Sequence, residues 1–205
     1  FLSNRLAVQY QPKGIVGVIV PWNFPVYLAL GPLVAAIAAG NRVMIKLPEI
    51  TPATNAVLRR MLAEVFTEDE VCIFGEEILD PAQFTSLPFN HIVFTGSPAI
   101  GRVVMRAAAE NLTPVTLELG GKSPALVSRH YPLADAAKRV LHGKATNCGQ
   151  ICVAPDYALV PKEQVNQFAE ECKKNFTAMY GSNISNNSNY TSIVNDRHFK
   201  RLLEI

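Results

Sequence analysis

The chain alternates between short runs that are almost wholly apolar and longer segments in which apolar residues recur every three or four positions. The first run, GIVGVIV (14–20), is β-branched and continuously apolar, as a strand covered on both faces of a parallel sheet must be. Similar runs at RVMIKL (42–47), VCIF (71–74), HIVF (91–94) and PVTLEL (114–119) predict four more strands. Helical patterns lie between them. In TPATNAVLRRMLAEVF (51–66), Thr51 is placed to cap and Pro52 fits the first turn, with Val57, Leu58, Met61, Leu62, Val65 and Phe66 expected on one face. The stretch VYLALGPLVAAIAAG (26–40) is broken by Gly31 and Pro32 and falls short of the ~20 residues that cross a bilayer. It reads as a buried helix, and AIGRVVMRAAA (99–109) as a second helix.

This alternation predicts an α/β fold with a parallel sheet, in which ligands bind beyond the carboxyl ends of the strands. From Lys122 the pattern restarts with SPALV as a strand, PLADAAKRVLHGKATN as a helix, YALVP as a strand, and KEQVNQFAEECKKNFTAMY and NDRHFKRLLEI as helices. The adjacent Gly120 and Gly121, lacking side chains, suit a sharp turn between two units. The boundary is therefore expected between 1–119 and 120–205. The second unit has few strands and ends inside a helical pattern, and the chain does not begin with Met, so a fragment is expected.

Composition narrows the function classes. With 19 Lys and Arg against 17 Asp and Glu the net charge is +2, and no basic stripe marks a nucleic-acid partner. FLSNRLAVQY (1–10) shows no secretory leader. Cys72, Cys148, Cys152 and Cys172 contain no CxxC pair, so reduced thiols and a cytoplasmic location are expected, with no membrane association. Five N-x-S/T triplets, at Asn111, Asn175, Asn183, Asn186 and Asn189, are accordingly expected to remain unglycosylated.

Candidate chemistry falls where strands end. In PWNFP, Pro21 and Pro25 fix the backbone around Trp22, Asn23 and Phe24, so Asn23 is either a turn residue satisfying backbone groups or a rigid donor to an oxyanion. Lys46, with Glu49 three residues on, either is solvated or pairs with Glu49 to hold ribose hydroxyls. FTGSPAIG joins a strand to a helix, so N–H groups near Gly96, Ser97 and Gly101 could face an anion, although no GxGxxG is present. Glu118 is the last polar position of an apolar strand. Buried there, it would be either an ion-pair partner or a general base whose pKa desolvation raises. In NCGQICVAPDY (147–157) the cysteines stand four apart with no His nearby, so no metal site is expected. Either thiol could be a nucleophile activated by backbone donors of its loop.

The ordered set PWNFP, KLPE, FTGSPAIG, VTLELGGKSP and GQICVAP resembles the NAD(P)-dependent aldehyde dehydrogenase family over about the first 160 residues. LTPVTLELGGKSP and NCGQICVAPDY look most like its class-three and bacterial coniferyl aldehyde dehydrogenase branch. The resemblance implies a Rossmann-type cofactor domain (1–119) followed by the start of an α/β catalytic domain (120–205). It puts the nucleophile on Cys152, the oxyanion donors on Asn23 and the Cys152 N–H, and the general base on Glu118. Lys46 and Glu49 match the adenosine ribose pair, and Gly96 and Ser97 the pyrophosphate turn, while Pro21, Trp22, Gly101, Leu119 and Gly120 are carried over as further cofactor-binding positions. The usual KPSE reads KLPE here, with the same Lys-to-Glu spacing. NAD is implied, with NADP possible, for oxidation of an aromatic (coniferyl-type) or aliphatic aldehyde to its acid through a thiohemiacetal and a thioester.

Other readings on the same fold are transfer of the acyl group to coenzyme A, acyl-phosphate reduction and a non-catalytic scaffold. Glu118 favours hydrolysis over transfer, and the joint presence of Asn23, Glu118 and Cys152 disfavours a scaffold. Family members are longer, homodimeric or homotetrameric, and carry a later EIFGP-like motif that this sequence lacks. The fragment alone is thus expected to be inactive.

Overall fold

The computed structural model describes residues 6–78 and 80–204. The first residues of the stretch inspected for a leader, Leu79, and the last residue of the final helical pattern lie outside the described residues. Five parallel strands form the first sheet: β1 (Ile15–Ile19), β2 (Arg42–Lys46), β3 (Val71–Phe74), β4 (His91–Thr95) and β5 (Val115–Glu118), in the order β3-β2-β1-β4-β5. The connecting helices are α1 (Pro25–Ala38), α2 (Pro52–Ala63), α3 (Pro81–Thr85) and α4 (Pro98–Ala109). The short α3 has no counterpart in the sequence pattern; Asp80 caps it by accepting from the Ala82 N–H at 2.8 Å.

Strand period explains the two cores. Val16, Val18 and Val20 join Val43, Ile45 and Leu47 with Leu33 of α1 and Leu58 and Leu62 of α2. Ile19 instead joins Phe84, Phe89, Ile92, Phe94 and Val104. Gly17 belongs to this second side, since a Cβ there would stand 3.0 Å from the Phe89 ring. Each such buried aliphatic or aromatic side chain contributes about 1.5–3 kcal/mol, so the three inner strands, β2, β1 and β4, supply most of what holds this unit together.

Three expectations about faces need correction. α1 is half-buried: Ala29 and Leu33 pack inward, while Tyr27 (75% exposed) and Val34 (66%) face solvent. On α2 the inward residues are Asn55, Leu58 and Leu62, with Phe66 packed beside them, whereas Val57, Met61 and Val65 are exposed. Thr51 sits at its N-cap without accepting a capping bond, and its hydroxyl lies 3.2 Å from Asn55 Oδ1. β5, expected to be covered on both faces, alternates half-buried and exposed.

The chain divides into Phe1–Leu119 and Gly120–Ile205. In the second unit β6 (Ser123–Leu126) and β7 (Pro155–Leu159) pair in parallel, joined through α5 (Leu133–Ala145). α6 (Val165–Tyr180) packs on α5, and α7 (Asp196–Leu203) ends the described chain. The core is small: Ala136, Ala137 and Phe168, with Val127, Leu133, Val140, Ala158, Val160 and Cys172 around it. Burial pushes the Cys172 thiol up, as the charge of Glu171 also does. Among the described residues no helix is long and apolar enough to cross a membrane.

Candidate active site

The strand order fixes where the first unit can bind a ligand. From β1 the chain winds through β2 to β3, and from β4 it winds the other way to β5, so the topological switch point lies between the carboxyl ends of β1 and β4. The loop leaving β1 there carries Pro21, Trp22 and Asn23, all half-buried and immediately ahead of α1. The loop leaving β4 carries Gly96 and Ser97.

Ser97 caps α4, its Oγ accepting from the Ile100 N–H at 3.3 Å. No acidic side chain occupies that first turn, so the positive end of the helix dipole is available to an anion. Close packing explains both glycines here: a Cβ on Gly96 would stand 2.6 Å from the Phe94 ring, and one on Gly101 3.0 Å from Leu119. The Gly96 N–H donates to the Glu118 carbonyl at 2.9 Å, tying this turn to β5.

Lys46 is not solvated, contrary to one of its two readings. It is 3% exposed, and its Nζ donates to the Leu47 carbonyl at 2.7 Å and to Glu49 Oε1 at 2.6 Å. A buried ammonium is tolerable only with such partners. The loop they share is anchored by Asn55, fully buried on α2, whose Nδ2 donates to the Pro48 carbonyl at 2.9 Å and to Glu76 Oε2 at 3.0 Å. The Asn55 bond holds the Glu76 carboxyl below the usual carboxylate range. Next to it, burial pushes the Glu77 carboxyl up, but hydrogen bonds from Arg59 and from the Gly75 N–H outweigh burial and leave it at about 2.

An open apolar groove of 650 Å³ starts at Asn23 and runs along α1 past Phe24, Val26, Tyr27, Leu30 and Val34. The exposed aliphatic and aromatic residues of α1 are therefore its wall.

Glu118 ends β5 with its side chain exposed, so the burial expected of it is not present and that part of the reading is corrected. Its position is nevertheless a strand end of the same sheet as Asn23, Lys46 and Gly96. Leu119 is half-buried beside Gly101, and Gly120, in the second unit, is exposed.

The cysteine loop lies wholly in the second unit. After α5 the backbone takes a 3-10 turn, Thr146–Gly149, in which Asn147 (φ 49°), Cys148 (φ 54°) and Gly149 (φ 74°) are successively left-handed. Left-handed backbone costs ordinary L-residues roughly 1–2 kcal/mol each, and such outliers gather at functional sites. The i, i+4 spacing of the cysteines is therefore not helical. Cys148 is half-buried and Cys152 exposed, and all four thiols are free. Gly121 was expected at a turn, but its requirement is close approach: a Cβ would stand 2.5 Å from the Cys152 carbonyl oxygen. Burial and a hydrogen bond to Cys148 push the Tyr190 hydroxyl up to about 12. Tyr190 also stacks edge-on with Tyr180 and Phe176. Among the described residues no cluster of His, Cys, Asp or Glu could hold a metal ion.

The sheet order and its switch-point loops define an α/β protein of the dinucleotide-binding type, followed by a unit that exposes a thiol on a strained loop. The chain belongs to the aldehyde dehydrogenase family, whose sequence model matches residues 3–205. It is 54% identical over 202 residues to a probable coniferyl aldehyde dehydrogenase of Pseudomonas aeruginosa, covering 98% of this chain and 42% of that protein. Mouse aldehyde dehydrogenase family 3 member A2 is 43% identical, over 98% of this chain and 42% of its own length. Among solved structures, the substrate-bound state of Staphylococcus aureus AldH superposes with a TM-score of 0.87 at 40% identity, over 95% of this chain and 42% of that one. The Mycobacterium tuberculosis aldehyde dehydrogenase complexed with NAD+ gives 0.83 at 32% identity, over 93% and 40%. The chain thus spans about two fifths of the length of the relatives it matches.

Proposed function

We propose that the full-length protein oxidises an apolar aldehyde to its carboxylic acid with NAD(P)+, and that Cys152 is the nucleophile. The observation that supports this most is the pairing, in one family member, of a dinucleotide-type switch point flanked by Asn23 and Ser97 with an exposed thiol on a left-handed loop. The first unit fits a dinucleotide: the α4 N-terminus offers N–H groups to a pyrophosphate, and Lys46 holds Glu49 at the carboxyl end of β2 for ribose hydroxyls. A bound nicotinamide supplies the hydride acceptor. The Glu49 carboxylate repels a 2′-phosphate, which favours NAD over NADP.

The Cys152 thiolate adds to the aldehyde carbon, and its sulfur lone pair becomes the C–S bond of a thiohemiacetal. By resemblance to the family, the Asn23 amide and the Cys152 N–H are the donors assigned to the oxygen on which charge develops, a contribution worth about 2.7–4 kcal/mol per donor in comparable sites. Once that carbon has lost hydride, the thioester is cleaved by water whose proton Glu118 removes, returning the thiolate and releasing the acid. Exposure of Glu118 gives water access to it. The groove along α1 takes the aldehyde's apolar part; Tyr27 and Phe24 on its wall suit an aryl group, as the similarity to coniferyl aldehyde dehydrogenases supports.

In full-length protein, Cys152→Ala is expected to abolish NADH formation with aryl and alkyl aldehydes, while Cys148→Ala retains it; the opposite result overturns the assignment. Glu118→Gln is expected to accumulate an acyl adduct on intact-mass measurement after one turnover.

A further inference from the structure

One polar side chain in the second unit makes more contacts than its surroundings require. Gln150 lies between the two cysteines, and its Nε2 donates to the Asn147 carbonyl at 3.0 Å and to the Ser192 carbonyl at 3.2 Å. Its Oε1 accepts from the Val194 N–H at 3.0 Å. The amide thus pairs with the main chain of a segment 42 to 44 residues away as a β-strand residue pairs with its neighbour. Reciprocally, Asn147 Nδ2 approaches the Gln150 carbonyl at 3.5 Å, closing the loop on itself. The same distant segment supplies Tyr190, whose hydroxyl meets Cys148.

These contacts sit where the backbone most needs them. Asn147 and Cys148 are non-glycine residues held left-handed, a conformation that persists only when the surroundings over-determine it. Burial does not supply that constraint, since residues 147–151 are all half-buried and Cys152 is exposed. Hydrogen bonds from the far segment do.

The geometry points to a latch in which Gln150 and the 190–194 segment hold the Cys148–Cys152 loop in its reactive shape, making Gln150 a positioning residue for the nucleophile. The inference rests on the assignment of Cys152 as that nucleophile. Gln150 does not touch the reacting atoms. It keeps the loop in the shape that presents the Cys152 sulfur and its N–H to a substrate, so releasing it lets the loop relax and slows reaction at that sulfur. Tyr190 assists by bonding the Cys148 sulfur from a position fixed by its ring contacts with Phe176 and Tyr180.

The test uses full-length protein and reads the alkylation rate of Cys152 by iodoacetamide, mapped by peptide mass across a pH series, beside kcat, KM and thermal midpoint. Gln150→Ala is expected to slow Cys152 alkylation about tenfold near neutral pH. It is also expected to lower kcat about tenfold with KM changed less than about twofold. Gln150→Glu is nearly isosteric and can still accept from Val194, but it replaces two donor bonds with carboxylate lone pairs. Its deficit relative to the parent should narrow as pH falls from about 8 to about 5, because a protonated carboxyl recovers one donor; a merely structural role would not give that recovery. Tyr190→Phe, which keeps the ring packing, is expected to slow alkylation about two- to threefold in the parent and not at all in Cys148→Ala.

A parent-like alkylation rate in Gln150→Ala overturns the latch and leaves the nucleophile assignment standing. A Cys152→Ala variant that still oxidises aldehydes overturns the assignment, and the alkylation series still decides whether Gln150 shapes the loop. If Gln150→Ala does not fold, Gln150→Glu carries the test, and a deficit independent of pH counts against the latch.

Discussion

The two units hold their functional residues by different means. In the first, Lys46 on β2 and Asn55 on α2 are polar groups sealed in an apolar core, with Ile45 and Leu47 flanking Lys46 and Leu58 beside Asn55. In the second, the core amounts to two alanines and a phenylalanine with partly buried neighbours, and the cysteine loop is tied by the Gln150 amide to a distant segment. The surface proposed for the cofactor is thus set in dense packing. The loop proposed to react is open to solvent and shaped by hydrogen bonds, which constrain geometry without covering the thiol.

The contrast can be broken at its strongest point first. Ile45→Ala, at a fully buried site of the central sheet, is expected to cost about 2–5 kcal/mol in chemical denaturation of the full-length protein. Truncating Leu159, which is 53% exposed in the second unit, should cost less than about 0.5 kcal/mol. Equal losses would show that the second unit is not the thinly packed one.

Gly121→Ala comes next. Its Cβ would meet the Cys152 carbonyl oxygen at 2.5 Å, so the cysteine backbone has to move, at about 1–3 kcal/mol by the usual cost of overpacking. The expected signature is a loss of Cys152 alkylation rate larger than any loss in thermal midpoint; unchanged alkylation would remove Gly121 from the site. Asn55→Ala is expected to cost about 1–3 kcal/mol by removing the buried amide that bonds both the Pro48 carbonyl and Glu76. It should weaken NAD binding, measured by calorimetry, without touching Cys152 reactivity.

The smallest effect is at low pH. The Glu77 carboxyl falls from 4.5 to about 2 on folding, so its contribution is present above the unfolded value and is lost as pH drops through about 2. Because the Arg59–Glu77 pair is half-exposed, at 38% and 46%, that contribution stays within about 1 kcal/mol. Glu77→Gln should flatten the acid side of a thermal-midpoint profile between those pH values and leave the neutral region within the same margin.

Most of the first unit was legible in the sequence because its strands are short, continuous apolar runs, and a run buried on both faces has only one reading. β5 was not: Thr116 and Glu118 are exposed, and no local pattern states what will cover each face of a strand. Lys46 was legible as a strand end but not as a buried ammonium, since its partners include a main-chain carbonyl. On α2 the inward stripe runs through Asn55, and a hydrophobicity pattern cannot choose a buried amide over Val57 or Met61. Cys152 and Asn23 stood out through family motifs, whereas Gln150 was passed over because its partners lie some forty residues on, in a polar stretch read only as a loop.

The left-handed run at Asn147, Cys148 and Gly149 also sets which letters that loop will accept. Gly and Asn adopt such backbone readily and a β-branched residue does not, so a saturation library at 148 selected for folding alone should drift toward Gly or Asn. Cysteine is a poor occupant on conformational grounds. Its retention in a library selected for turnover would mean that the sulfur facing Tyr190, and not the backbone, is what that position supplies.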